Sequence, residues 1–359
     1  MRIRLTTDAA EREISSMVRL LSSPNWPWKN DQVISPDQFP TFPTPMYPEI
    51  KLARGAYEPM QERFDPFRRA IHIATEGPIG IAARRLCQEW KLPFTTSYHT
   101  RFPEYVSARL PLPLAAGYAY MKWFHKPSGR LMVTTPTMRE ELERNGFRNL
   151  SVWSRGVDTE LFRLRAEGEK DMFEGLARPI FLNVGRVAVE KNIEAFVSLD
   201  LPGSKVVIGD GPQLEELKAK FPEAHFLGAK FGDELAAYFR SADVFVFPSL
   251  TDTFGLVILE AMASGAPVAA FSAPGPIDII PGSGAGVLAP GQETGLKEAC
   301  LACLEIPKAD VRRFAERFSW RACAEEFQRM LQPYPEQEKV RFWRRLRRLA
   351  RLRRRPKEI

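Results

Sequence analysis

A chain of 359 residues with 44% hydrophobic and 26% charged side chains is long enough for two cores of ordinary size and too evenly mixed for a disordered or fibrous protein. Its net charge of +7 is local: the last 21 residues hold eleven Lys or Arg against one Glu, or +10, so the other 338 carry −3. That distribution argues against a nucleic-acid groove through the body and leaves one terminal segment that seeks an anionic surface.

The elements in chain order divide into a first domain over 1–155, a connection over 156–178, a second domain over 179–331 and a tail over 332–359. A short strand is expected at Ile3 to Thr7, then a helix over "AEREISSMVRLL". The stretch "SSPNWPWKNDQVISPDQFPTFPTPMYPEI" repeats proline, which favours extended loops. Strand "AIHIA", loop "TEGPIG", helix "IAARRLCQEW" and strand "PFTTSYHT" follow. "LPLPLAAGYAYM" from Leu110 is short and carries two prolines, so it predicts a buried or interfacial helix and not a membrane span.

From Ser154 to Arg178 no apolar period is sustained, and the segment reads as the interdomain connection. Alternation then restarts with strands in "IFLNVG", "SKVVIGDG", "AHFLG", "DVFVFPS", "PVAAF" and "GAGVLA", separated by helical patterns. Strand alternating with helix, twice over, predicts an α/β protein of two doubly wound, Rossmann-like domains facing a cleft. In such sheets ligands bind where strand C-termini meet helix N-termini.

Four cysteines suit a reducing compartment. Cys300 and Cys303 form a C-x-x-C inside a helical pattern without a second Cys or His pair, which favours core packing over metal or redox chemistry. The first residues show no apolar signal-peptide region, and the chain has no run of about 20 apolar residues. A cytoplasmic location is expected.

Three loops carry candidate chemistry. In "NVGRVAVEKN", Gly185 ends a strand, Arg186 follows, and Lys191 opens the next helical segment. Cations set against a helix dipole suggest a bound anion, a diphosphate above all; two solvated surface residues are the other reading. In "VVIGDGP", Gly209 and Gly211 make a tight turn of a kind common for purely structural reasons. In "FPSLTDTFGLVILEAMASGAPVAAF", Asp252 precedes a helix whose first turn holds Gly255, and Glu260 lies on its second turn. The amides of Phe254 to Val257 can hold a phosphate or a sugar hydroxyl, and the two carboxylates a polyol. Asp252 as a helix cap is the structural alternative.

Taken together, "GRVAVEKN", "IGDGP" and the Asp252 to Glu260 stretch resemble the retaining glycosyltransferases of the GT-B fold in family 4. "HIATEGPIG", "TSYHTRFPEY" and "WSRGVDTELF" look like the branch of bacterial α-mannosyltransferases and sulfoquinovosyl- or glucosyl-diacylglycerol synthases. The resemblance spans about residues 71 to 330. It implies a hexosyltransferase that uses a nucleotide sugar, GDP-mannose or a UDP-hexose, as substrate, with no cofactor and no metal, and a lipid or lipid-linked glycan as acceptor. Arg186 and Lys191 would neutralise the diphosphate, Glu260 would hold the ribose, and Asp252 with the amides of Phe254 to Leu256 the hexose, beside Gly185 and Gly209. His99 matches the family's histidine near the reacting carbon, and Glu76, Gly77 and Arg101 fall on the acceptor side.

One loop departs from the family. Relatives usually follow the first strand with Asp-Ala-Trp-His-Pro and then Asn-Gly, whereas here Glu11 and Arg12 replace His-Pro and Ser15 and Ser16 replace Asn-Gly. A glycine-free loop keeps the backbone farther from a phosphate, so a catalytically silent nucleotide-sugar-binding or scaffold protein of the same fold is the alternative. In the tail, Phe342, Leu346 and Leu349 recur at helical spacing among arginines, with Trp343 beside them. Residues 339–359 therefore read as an amphipathic segment for an anionic membrane, peripheral at the inner face; a solvated terminus and a nucleic-acid patch are the other readings.

Overall fold

The computed structural model describes residues 34, 36–44, 47–63, 70–98, 102–107, 113–250, 252, 254–290 and 295–333. The chain divides into two units, residues 1–133, 139–153 and 326–359 in the first and residues 134–138 and 154–325 in the second. The expected strand over 3–7, the helix and loop after it and the basic tail lie outside the described residues.

Among the described residues of the first unit, a 3-10 turn (Pro36–Gln38) precedes an antiparallel pair, β1 (Thr41–Thr44) and β2 (Tyr47–Ala53), in the stretch expected as extended loops. The proline-rich chain is extended as its composition demands, but it pairs with itself. A two-stranded sheet has only edge strands, so Pro43 and Pro48 remove no essential ladder bond.

A parallel sheet follows in the order β3 (His72–Ile73), β4 (Thr95–Tyr98), β5 (Arg130–Val133), β6 (Leu150–Val152). Helices Pro78–Trp90, Leu114–His125 and Pro136–Arg144 connect its strands. β4 is fully buried although its sequence is Thr-Thr-Ser-Tyr. Side chains alternate across a strand, and each face finds a histidine. His72 bonds Thr95 Oγ1 at 2.9 Å and Ser97 Oγ at 3.0 Å, while His125 Nδ1 bonds Thr96 Oγ1 at 3.0 Å. The hydroxyls of Thr95, Thr96 and Ser97 are thereby satisfied.

Helix Leu114–His125, expected as buried or interfacial, buries Tyr118, Met121, Phe124 and His125 and leaves Trp123 48% exposed. Arg84 caps its end, donating to the carbonyls of Phe124 and Trp123 and stacking 4.1 Å over the Trp123 ring. Among the described residues no helix is long and apolar enough to cross a membrane.

The second unit holds six parallel strands in the order β12 (Gly286–Ala289), β11 (Val268–Phe271), β10 (Val244–Phe247), β7 (Ile180–Val184), β8 (Ser204–Ile208), β9 (His225–Phe226). Helices cover both faces, so the central strands are apolar except for the buried Asn183 in β7, which donates to the Val246 carbonyl at 2.9 Å. Ile180, Leu182, Phe245 and Phe247 enter one core, and Phe181, Val244 and Val246 enter the other. Cys300 and Cys303 are buried in this second core with free thiols, and burial pushes the Cys303 thiol up to about 12.

Residues 156–178 are not a free connection. Val157 bridges to Ser319, and Phe162 and Phe173 are buried in the core of the second unit. Arg312 fastens the segment by donating to the carbonyls of Phe162 and Thr159, and to that of Ala263. The segment lacks an apolar period because it packs through isolated aromatics. The division of the chain also falls inside helix Trp320–Met330, whose last turns belong to the first unit. There Phe327 packs 4.7 Å from Trp153 and 4.9 Å from His72, and Arg130 donates to the Met330 carbonyl.

Candidate functional site

The second sheet reverses its order between β7 and β10. From β7 the chain builds outward through β8 and β9, then crosses back to place β10 on the other side. At such a switch point the loops after the two central strands diverge and leave a crevice at their C-terminal ends. Arg186 and Lys191 lie on the loop after β7, and Asp252 on the loop after β10.

The β7 loop is held from two sides. Toward β8, Gly185 donates to the Ile208 carbonyl at 3.0 Å, Val187 to the Asp210 carbonyl at 2.9 Å, and Gln213 to the Val187 carbonyl at 3.1 Å. The two glycines of "IGDGP" make this approach possible. A Cβ at Gly209 would stand 1.8 Å from the Gly185 carbonyl oxygen, and one at Gly211 would stand 2.3 Å from that of Val187. Gly209, expected beside the donor, therefore has a packing reason of its own. Gly185 differs, since a Cβ there meets nothing within 4 Å.

Toward β10, Asn192 donates to the Pro248 carbonyl at 3.3 Å, and Ser249 Oγ to the Glu190 carbonyl at 3.3 Å. Lys191, expected to open the helix, ends the 3-10 turn Val189–Lys191 instead. Asn192 then turns the chain in the left-handed region, at φ 51°, before helix Ile193–Val197. These ties bring Lys191 Nζ to 2.6 Å from Asp252 Oδ2, with side chains 27% and 19% exposed. Arg186 is exposed on the same loop.

Helix Leu256–Ala263 starts at Gly255, whose φ of 80° favours glycine and lets Phe254 turn into the core. Gly275 keeps that turn close, since its Cβ would stand 2.8 Å from the Phe254 carbonyl oxygen. Among the described residues no side chain or carbonyl accepts from the amides of Phe254, Gly255 or Leu256, the donors a helix start leaves over. Glu260, on the second turn, is half-buried between the fully buried Leu259 and Ala261.

In the first unit, Glu76 and Gly77 occupy the loop after β3, and Gly77 caps helix Pro78–Trp90. Glu76 Oε1 stands 3.3 Å from His125 Nε2, and Tyr120 Oη donates to the Glu76 carbonyl at 2.5 Å. His99 and Arg101 lie outside the described residues. Tyr120 lies in the stretch expected as a buried or interfacial helix and His125 just beyond it, and neither is assigned a site role from the sequence; the histidine closing "YMKWFH" was the available signal.

Comparison with known proteins places the chain in a family. The model described as "Glycosyltransferase Family 4" matches residues 12–161, and that described as "Glycosyl transferases group 1" matches residues 178–305. The chain is 31% identical over 310 residues to the sulfoquinovosyl transferase SQD2 of Arabidopsis thaliana, covering 79% of this chain and 60% of that protein. It is 32% identical over 232 residues to a GDP-mannose-dependent alpha-mannosyltransferase of Mycobacterium tuberculosis, covering 63% and 61%. The chain thus spans about 60% of the length of these curated relatives. Among solved structures it shares its fold with sucrose-phosphate synthase from Thermosynechococcus elongatus, at TM-score 0.67, 21% identity and coverage of 89% and 92%.

The fold is GT-B. The chain belongs to glycosyltransferase family 4, in the branch of the α-mannosyltransferases and sulfoquinovosyl transferases.

Proposed function

We propose that this chain transfers a hexose from a nucleotide-diphosphate sugar, GDP-mannose or a UDP-hexose, to a lipid or lipid-linked glycan, with retention at the anomeric carbon and without a metal ion. The observation that carries this reading is the meeting of Lys191 with Asp252 at the switch point, beside a helix start whose three amides find no acceptor among the described residues. A cation, a carboxylate and orphan amides at one strand edge match a ligand that is anionic at one end and rich in hydroxyls at the other.

In this reading the guanidinium of Arg186 and the ammonium of Lys191 neutralise the diphosphate, with Gly185 leaving room for it. Glu260 accepts from the ribose hydroxyls. Asp252 and the amides of Phe254, Gly255 and Leu256 hold the hexose. Breaking the bond between the anomeric carbon and the phosphate oxygen leaves negative charge on the diphosphate and positive charge on the sugar. Cations and amides fixed beforehand stabilise the departing group as its charge grows, so no covalent step on a side chain is required. The acceptor hydroxyl enters on the face the diphosphate leaves; the family resemblance gives His99 a role at the reacting carbon and gives Glu76, Gly77 and Arg101 acceptor roles. The lipid acceptor and a place at the inner membrane face rest on the resemblance to diacylglycerol synthases and on the charge of residues 339–359.

The test is release of nucleotide from GDP-mannose and a set of UDP-hexoses with membrane lipids present and absent. Lipid-stimulated release from one donor is expected. A donor that raises the melting temperature without any turnover would instead favour a silent nucleotide-sugar-binding protein, the reading prompted by Glu11, Arg12 and the glycine-free first loop. Removing residues 339–359 is expected to abolish retention on anionic vesicles and leave retention on DNA unchanged and low.

A further inference from the structure

Lys191 and Asp252 occupy one another. Their charged atoms are 2.6 Å apart on different loops, and both side chains are largely withdrawn from water. Parting such a pair is costly unless each charge finds a new partner, because each has already lost much of its hydration. In the function proposed above, on which this inference rests, the two groups serve opposite ends of the donor. A diphosphate that engages Lys191 competes with Asp252 for the same ammonium.

We infer that Asp252 is a specificity-determining residue that makes the site prefer the intact sugar nucleotide to the bare nucleoside diphosphate. An ionised carboxylate only accepts hydrogen bonds. The hexose of a sugar nucleotide brings hydroxyl donors, and these take the place of Lys191 on Asp252. A nucleoside diphosphate brings no hydroxyl to that position, and its terminal phosphate places a second negative charge near the carboxylate. The bare nucleotide must therefore hold Lys191 against the pull of Asp252. The same competition acts after transfer. Once the hexose has gone to the acceptor, Asp252 draws Lys191 back from the product diphosphate and promotes its release.

The experiment measures dissociation constants of UDP, GDP, UDP-glucose and GDP-mannose by calorimetry on the full chain, for the native protein, Asp252→Asn and Asp252→Ala. Asparagine keeps the size of the side chain and removes its charge, and alanine controls for the amide. Product inhibition by the same diphosphate, measured beside the Michaelis constant of its sugar nucleotide, gives a kinetic second reading. For the matching base, both variants are expected to bind the diphosphate about tenfold tighter, a shift of about 1.4 kcal/mol. The sugar nucleotide is expected to bind no tighter than in the native protein, and product inhibition to deepen. If the two ligands change in parallel, or the diphosphate binds more weakly, the inference is overturned. If the native protein binds none of the four at millimolar concentration, the donor-site reading fails first and this inference falls with it. Native binding with an unchanged ratio in the variants overturns this inference alone.

Discussion

Lys191 Nζ meets Asp252 Oδ2 at 2.6 Å across 61 positions of sequence. The contact exists because β10 lies beside β7, so the loops leaving the two strands face each other. Ser249 and Asn192 fasten the same two loops with backbone-directed bonds. The pair is therefore held on a built scaffold and is not a chance meeting of flexible side chains, which would contribute little.

The two glycines at this edge should behave in opposite ways. Gly209→Ala drives a methyl group against the Gly185 carbonyl and is expected to cost about 3 kcal/mol or more in denaturant unfolding. Gly185→Ala meets open space and should leave stability within about 0.5 kcal/mol, yet reduce the thermal shift produced by the donor. A full donor shift in Gly185→Ala would mean that no ligand approaches this strand end.

Arg186 is exposed, so its removal tests chemistry with little effect on folding. Arg186→Ala and Lys191→Ala are each expected to lower turnover about 100-fold or more, the scale for losing one preorganised charge-stabilising donor. Near-native nucleotide release by both variants would remove the diphosphate assignment.

In the first unit the carboxylate of Glu76 faces His125, and both Tyr120 and Thr96 steady the arrangement. Glu76→Gln should depress transfer to lipid while leaving the donor-induced thermal shift intact. His125→Ala removes one of the two partners of the buried Thr96 hydroxyl, which keeps its bond to Ser128, and is expected to cost about 1–3 kcal/mol in stability. Loss of donor binding in Glu76→Gln would contradict the acceptor-side role.

Burial pushes the Cys87 and Cys303 thiols up to about 12 and shifts Cys300 in the same direction. The folded chain then keeps protons that the unfolded chain releases near pH 8.5. This contribution to stability is complete below that pH and is lost as pH rises through about 12. Alkylation followed by mass spectrometry should leave all three thiols unmodified at pH 8 in native buffer and modify them fully in denaturant.

Much of the fold was legible because its signals are local. The strands of the second unit are short apolar runs between helical periods, and "VVIGDGP" and "TFG" mark turns at the residues where the structure needs glycine. Two stretches misled for physical reasons. Residues 156–178 lack a period, yet Phe162 and Phe173 are core, since a loop can pack through single aromatics. The prolines near residue 43 suggested loops, but an extended chain with only edge strands can still form a hairpin.

The order of residues by itself determined the α/β alternation, the family and the short loops on which Arg186, Lys191, Asp252 and Glu260 fall, because periodicity and turn chemistry act over a few residues. It could not determine which loops meet. That Lys191 faces Asp252, and His125 faces Glu76, was decided by strand order and helix packing. Those depend on how apolar faces far apart in sequence are buried together, a balance settled only when the whole sheet assembles.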